Sequence, residues 1–132
     1  MGYTYKNIEM TGMWTNFLKQ NQSHPPHTHS NNILSGVFYL LSSNNEDKKS
    51  AGAPIQFFDP RVQAHVFSPR NTANHLNSNI MQFPCKERTG YIFPSWLQHW
   101  VPPTHIERIS VSWNILVRGE YGAPNTLQNA YI

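Results

Sequence analysis

The sequence predicts an all-β domain, a jelly roll of two antiparallel sheets packed face to face. Three observations carry this expectation. The apolar runs are short, rich in β-branched and aromatic residues, and separated by turn-forming residues. About eight such runs fit into 132 residues, the length of a single domain over positions 1–132. The composition suits neither a helical bundle nor a coiled coil, because only 13% of residues are charged and Asn, Gln, Ser, His and Pro carry most of the polarity. Four Trp, six Tyr and seven Phe supply the core that a hydrophobic content of 39% would otherwise leave thin.

Before residue 24, MWTNFLKQN reads as the one plausible helix and equally well as a strand. Residues 33–42, ILSGVFYLLS, form the clearest strand. A polar loop, SNNEDKKSAGAP, leads to a second, PIQFFDP, and VQAHVF at 62–67 alternates well enough to be a third. The Asn-rich stretch SPRNTANHLNSN is a long connection and a candidate lid. NIMQFPC is followed by the charged turn KERTG and then by YIFPSWLQHWV. After PPTHIE comes a last long strand, RISVSWNILVRG. The tail EYGAPNTLQNAYI lacks periodicity and is expected to pack over an edge or a partner.

Charge excludes little but removes one class of partner. Ten Lys and Arg against seven Asp and Glu give a formal charge of +3, and the basic residues are scattered rather than clustered. A nucleic-acid surface needs a stripe that neutralises several phosphates, so none is expected. The single cysteine, Cys85, cannot form an internal disulfide and reads as a packed or surface thiol in a reducing cytoplasm. No apolar run reaches the ~18 residues of a membrane span, and MGYTYKNIEM lacks the pattern of a signal peptide, so a cytoplasmic location is the expectation.

Seven histidines are the chemically informative feature. His24, His27 and His29 lie together in SHPPHTHSNN, while His65, His75, His99 and His105 are dispersed. On a strand, residues i and i+2 share a face, so His27 and His29 could converge on one ion with a third ligand from a neighbouring strand. His99, in QHW, is the best candidate for that third ligand. Such a set suits Fe(II), Zn or Cu. Spacing alone leaves the alternatives open: HPPHTH also reads as a polar loop, and His99 as a core histidine. Trp96 and Trp100 read as core residues, with Trp100 on the face opposite His99, between sheets or at the surface of a homodimer.

The order of motifs says more than their spacing. HTHSNNILSGVFYL, QFFDPR, GYIFPSWLQHWVPP and ERISVSWN resemble a small family of 2-oxoglutarate/Fe(II)-dependent dioxygenases found in marine bacteria and in phages of cyanobacteria. The resemblance runs from about Trp14 to Asn114. It implies a double-stranded β-helix, the cupin-like form of the jelly roll, with Fe(II) as metal and 2-oxoglutarate as cosubstrate. It places two ligands on His27 and His29 and the distal ligand on His99. An arginine some residues beyond the distal histidine would pair with the far carboxylate of 2-oxoglutarate. Arg108 holds that place, with Ser110 completing an Arg-x-Ser pattern and Tyr39 matching a tyrosine that reaches the same carboxylate.

The residue types suit these roles. A guanidinium grips a carboxylate through two hydrogen bonds, and Ser110 faces the same side of its strand as Arg108. One departure concerns the metal: the usual site is two His and a carboxylate, whereas His29 would make it a neutral three-His site. Asp59 in FFDPR is the alternative carboxylate, although it also reads as a turn residue paired with Arg61. The expected reaction hydroxylates an unknown small-molecule or peptide substrate with succinate and CO2 as coproducts. A non-catalytic metal- or anion-binding jelly roll, or a zinc hydrolase on the same three His, would use the same residues.

Overall fold

The computed structural model describes residues 5–42, 52–61, 74 and 77–132. Among them the regular structure is entirely β. The strands are β1 Asn7–Leu18, β2 His24–His27, β3 Leu34–Leu41, β4 Ile55–Phe58, β5 Ile80–Phe83, β6 Gly90–Pro94, β7 His99–Val101, β8 Arg108–Arg118, β9 Glu120–Tyr121 and β10 Ala130–Tyr131. Two four-stranded antiparallel sheets make up the body. The first has the order β1-β8-β3-β6 and the second β2-β7-β4-β5, with β9 and β10 a small separate pair. Apart from β4 and β5, neighbouring strands in each four-stranded sheet are not consecutive in the chain, as the crossovers of a jelly roll require.

The segment around MWTNFLKQN is strand, not helix. β1 pairs along its whole length with β8, from Asn7 opposite Arg118 to Leu18 opposite Arg108. That ladder decides the conformation over local propensity, because strand preference is largely a matter of what the side chains pack against. A bulge between Met10 and Gly12 shifts the register once. The stretch YIFPSWLQHWV is likewise not one element. Pro94 has no N–H to continue the ladder, so β6 ends there, and the Leu97 N–H donates to the Pro94 carbonyl at 3.0 Å to close a turn. The chain then re-enters as β7 in the other sheet. Trp96, expected in the core, sits on that turn and is 62% exposed. Trp100 lies on the far side of β7 from His99, half-buried, with its indole N–H donating to Gln56 at 2.7 Å.

The remaining strands fall close to where the sequence puts them. The strand expected at 62–67 and most of the candidate lid lie outside the described residues. The tail returns to the end of β8, where Gly119 and Ile132 exchange backbone hydrogen bonds of 3.0 Å and Lys6 sits over the Tyr131 ring. The core between the sheets gathers Val37, Tyr39, Ile55, Phe57, Cys85 and Phe93, with a smaller cluster of Leu18, Ala53 and Val101. Cys85 is therefore a packed thiol. No helix is long and apolar enough to cross a membrane.

Candidate metal and anion site

One end of the space between the sheets opens into a cavity of about 250 Å³, within which His24, His27, His29, His99, Arg108 and Ser110 all present atoms. His27 and His99 get there as a cross-strand pair: the last residue of β2 stands opposite the first residue of β7, with ring centroids 4.4 Å apart. His29 lies just past the end of β2, so strand alternation is not what aligns it with His27. Its N–H donates to the Ser95 carbonyl at 2.9 Å, and the turn beyond it runs through Asn31 in the left-handed region, which Asn tolerates better than most residues. The His29 ring stacks on His99 with centroids 5.2 Å apart. The three rings offer ligand atoms that all lie within 4.8 Å of one another.

Their tautomers follow from their hydrogen bonds. A carbonyl oxygen only accepts, so the 2.8 Å contact of His27 Nδ1 with Pro25 O and the 2.9 Å contact of His99 Nδ1 with Leu97 O both put the proton on Nδ1. The lone pair of each ring is then on Nε2, and the backbone fixes ring orientation as outer partners of metal-bound histidines do. Burial pushes the His99 imidazole down to about 4, and the neighbouring histidines push the same way against its bond to Leu97. Burial, reinforced by His27, also lowers His29. Both rings are thereby held neutral, the form that ligates.

Arg108 opens β8 and is 3% exposed. One of its amino groups donates to Ala53 O at 3.4 Å, and its Nε has no hydrogen-bond partner. Among the described residues the ion pairs are Arg61–Asp59 and Arg118–Glu9, so no carboxylate answers this buried cation. The Tyr39 ring lies 5.0 Å from the guanidinium carbon, and its fully buried hydroxyl is also without a partner. Burial pushes the Tyr39 phenol above its usual range, which keeps it a donor. Ser110, two residues along β8, is buried on the same wall. An anion entering this cavity would meet the Arg108 cation and the Ser110 hydroxyl, whereas Tyr39 lies behind Arg108 and does not line the cavity itself. Asp59 points elsewhere: it is paired with Arg61 at 2.5 Å and lines a separate cavity with Ser78 and Met81. The described residues that could hold a metal are the three histidines alone.

Several residues of the site escape a reading by motif. Trp14 and Asn16 enter from β1, and Asn16 donates to Ser112 Oγ at 2.9 Å. Ser35, Ser95 and Asn114 form a buried chain of hydrogen bonds of 2.8 Å and 2.7 Å behind the turn that carries β7. His24 lies beside His27 and is lowered by burial, then by Arg108. The alternation of polar residues in RISVSWN is the signal that could have located Ser112 and Asn114.

The family described as "Putative 2OG-Fe(II) oxygenase" matches residues 12–114. The chain belongs to this family. The family's name implies Fe(II) and 2-oxoglutarate, and the donor set of three histidines beside a buried cation that no described carboxylate answers fits both. No curated protein matches the chain. Among solved structures, an oxidoreductase of the 2OG-Fe(II) oxygenase family from Burkholderia pseudomallei is similar with a TM-score of 0.62 at 12% identity, covering 87% of this chain and 47% of that one. A Pseudomonas putida prolyl-4-hydroxylase is similar with a TM-score of 0.59 at 15% identity, covering 87% and 54%. At these identities the likeness is one of fold, and this oxygenase-family chain spans about half the length of each.

Proposed function

We propose that the chain is a 2-oxoglutarate- and Fe(II)-dependent dioxygenase that hydroxylates a small-molecule or peptide substrate and forms succinate and CO2. The observation that carries this reading is the opening onto one cavity of a three-histidine cluster and a buried cation that has no carboxylate partner among the described residues. His27, His29 and His99 would hold the metal, and bound Fe(II) supplies the activation of dioxygen. Arg108 takes the far carboxylate of 2-oxoglutarate, Ser110 donates to it, and Tyr39 backs the guanidinium. The buried carboxylate thus acquires the charge and hydrogen bonds without which it would not leave water. The aromatic and apolar wall of Phe93, Val37 and Ile55 excludes water from the reacting end. Neither a nucleic-acid stripe nor a membrane segment belongs to this reading. An anaerobically purified, Fe(II)-loaded sample exposed to oxygen with 2-oxoglutarate and ascorbate tests it, because such enzymes form succinate slowly even without a primary substrate. Succinate formation that disappears in the His99→Ala protein is the expected result. Metal binding without any succinate would favour a non-catalytic jelly roll.

A further inference from the structure

One strand of the first sheet, β8, is inverted relative to an ordinary sandwich, while Val37, Tyr39 and Phe93 of its neighbours still face the core. A sandwich strand buries its apolar row and gives its polar row to water. In β8 the inward residues are Arg108, Ser110 and Ser112, which line the cavity, and Asn114, which bonds to buried Ser35. The outward residues are Ile109, Val111, Trp113, Ile115 and Val117. Because the inward row is given over to the site, the apolar row faces away from the core.

The neighbouring strands extend that outward row. In the antiparallel register Ile8, Met10, Met13 and Phe17 of β1 stand opposite Val117, Ile115, Trp113 and Ile109, so they share its face. Phe38 of β3 stands opposite Val111, and Ile92 of β6 continues the row through Gly36. Ile8, Met10, Met13, Phe17 and Ile92 are each more than half exposed. A Cβ on Gly36 would come within 2.4 Å of the Trp113 ring, so the missing side chain leaves room for the indole to lie across the sheet. Among the described residues the register places no charged side chain on this face, and Thr15 is its one hydroxyl. Glu9 and Arg118 of the same strands pair on the other side.

We infer that this face docks against the same face of a second copy of the chain, sheet to sheet, in a two-fold homodimer. The area is sufficient. Four strands at ~4.8 Å and about nine residues at ~3.3 Å give roughly 600 Å² before side-chain relief, close to the ~800 Å² each partner gives to a standard interface. It is also at the upper end of the ~300–600 Å² patches that monomers leave exposed. The absence of charge selects the partner. A two-fold contact sets a patch against itself, so a charge on the axis would meet its own copy and one off the axis would need an opposite charge on the same patch. An uncharged apolar face is complementary to itself without either. A partner recognised by charge would find nothing here to read.

Analytical ultracentrifugation of the full chain from ~1 to about 200 µM tests this, since dimer population depends on concentration. The expected result is a species of twice the monomer mass. Phe17→Lys and Ile92→Lys, each made singly at an exposed position facing away from the cavity, should raise the dissociation constant by about 100-fold or more, as each change enters the interface twice. Far-ultraviolet circular dichroism and metal content should stay at parent values, showing that the fold and site are intact. A parent chain that stays monomeric throughout, even one whose face binds a hydrophobic dye or a different protein, would overturn the inference. So would a dimer that neither substitution weakens.

Discussion

Replacing Arg108 by Met separates a ligand-binding cation from a structural one. In the folded chain this guanidinium is 3% exposed, makes one long bond of 3.4 Å to Ala53 O, and leaves Nε unpartnered. An unanswered buried ion costs several kcal/mol of hydration, and an apolar side chain of similar volume removes that cost. Against this stand the weak Ala53 bond, worth at most ~1 kcal/mol, and the attraction to the Tyr39 ring, about 1–2 kcal/mol when desolvated. The balance favours Arg108→Met by about 1–2 kcal/mol, or several degrees in Tm for a domain of this size. Urea unfolding and thermal melts of the apo proteins measure it. Added 2-oxoglutarate should stabilise the parent protein, by ~2.7 kcal/mol at a hundredfold excess over Kd, and should leave Arg108→Met unmoved. Arg108→Lys keeps the charge but not the two-pronged grip and should fall between them. A variant destabilised by more than ~2 kcal/mol that still responds to 2-oxoglutarate would show that Arg108 serves the fold and not the ligand.

The other expectations concern the histidines. His27→Ala and His99→Ala should each lose Fe(II) while keeping the fold, and His29→Asp should retain it. If His29→Ala binds iron as well as the parent while Asp59→Ala does not, metal analysis will have moved the third ligand to the carboxylate. Stability should also fall with acid. His99 is held near 4 in the folded state against ~6.5 unfolded, so the unfolded chain binds the extra proton between those values. The contribution is complete above about pH 6.5 and is lost as pH falls toward 4, amounting to at most ~3.5 kcal/mol for His99 alone. His29 and His24 are shifted the same way and add to the slope. Chemical denaturation of the metal-free protein across this range should show the loss, and His99→Gln should flatten it.

What the sequence discloses depends on whether one strand carries the whole signal. RISVSWNILVR alternates so regularly that its strand, and the shared face of Arg108 and Ser110, can be read directly. The strands around ILSGVFYLLS and PIQFFDP stand out for the same reason. β1 does not, because Met13, Trp14, Phe17 and Leu18 are apolar on both faces, and only the ladder with β8 settles the period. His27 and His29 are suggestive as neighbours, but their alignment comes from a cross-sheet bond to Ser95 that no local pattern encodes. Trp96 defeats the habit of placing tryptophan inside, since Pro94 turns the chain outward just before it. Trp14 joins the cavity from β1 through tertiary contacts alone, while His24 arrives on the same strand as His27.

Titration of the Fe(II)-loaded protein with 2-oxoglutarate under strict exclusion of oxygen tests the central claim most directly. Chelation of Fe(II) by a 2-oxo acid produces a visible metal-to-ligand absorption, so the readout needs no primary substrate. The expected result is a saturable band in the parent protein, absent from the His27→Ala protein and strongly weakened in Arg108→Met despite full iron loading. Absence of both the band and calorimetric binding at millimolar 2-oxoglutarate, in a parent protein that holds its iron, would contradict it.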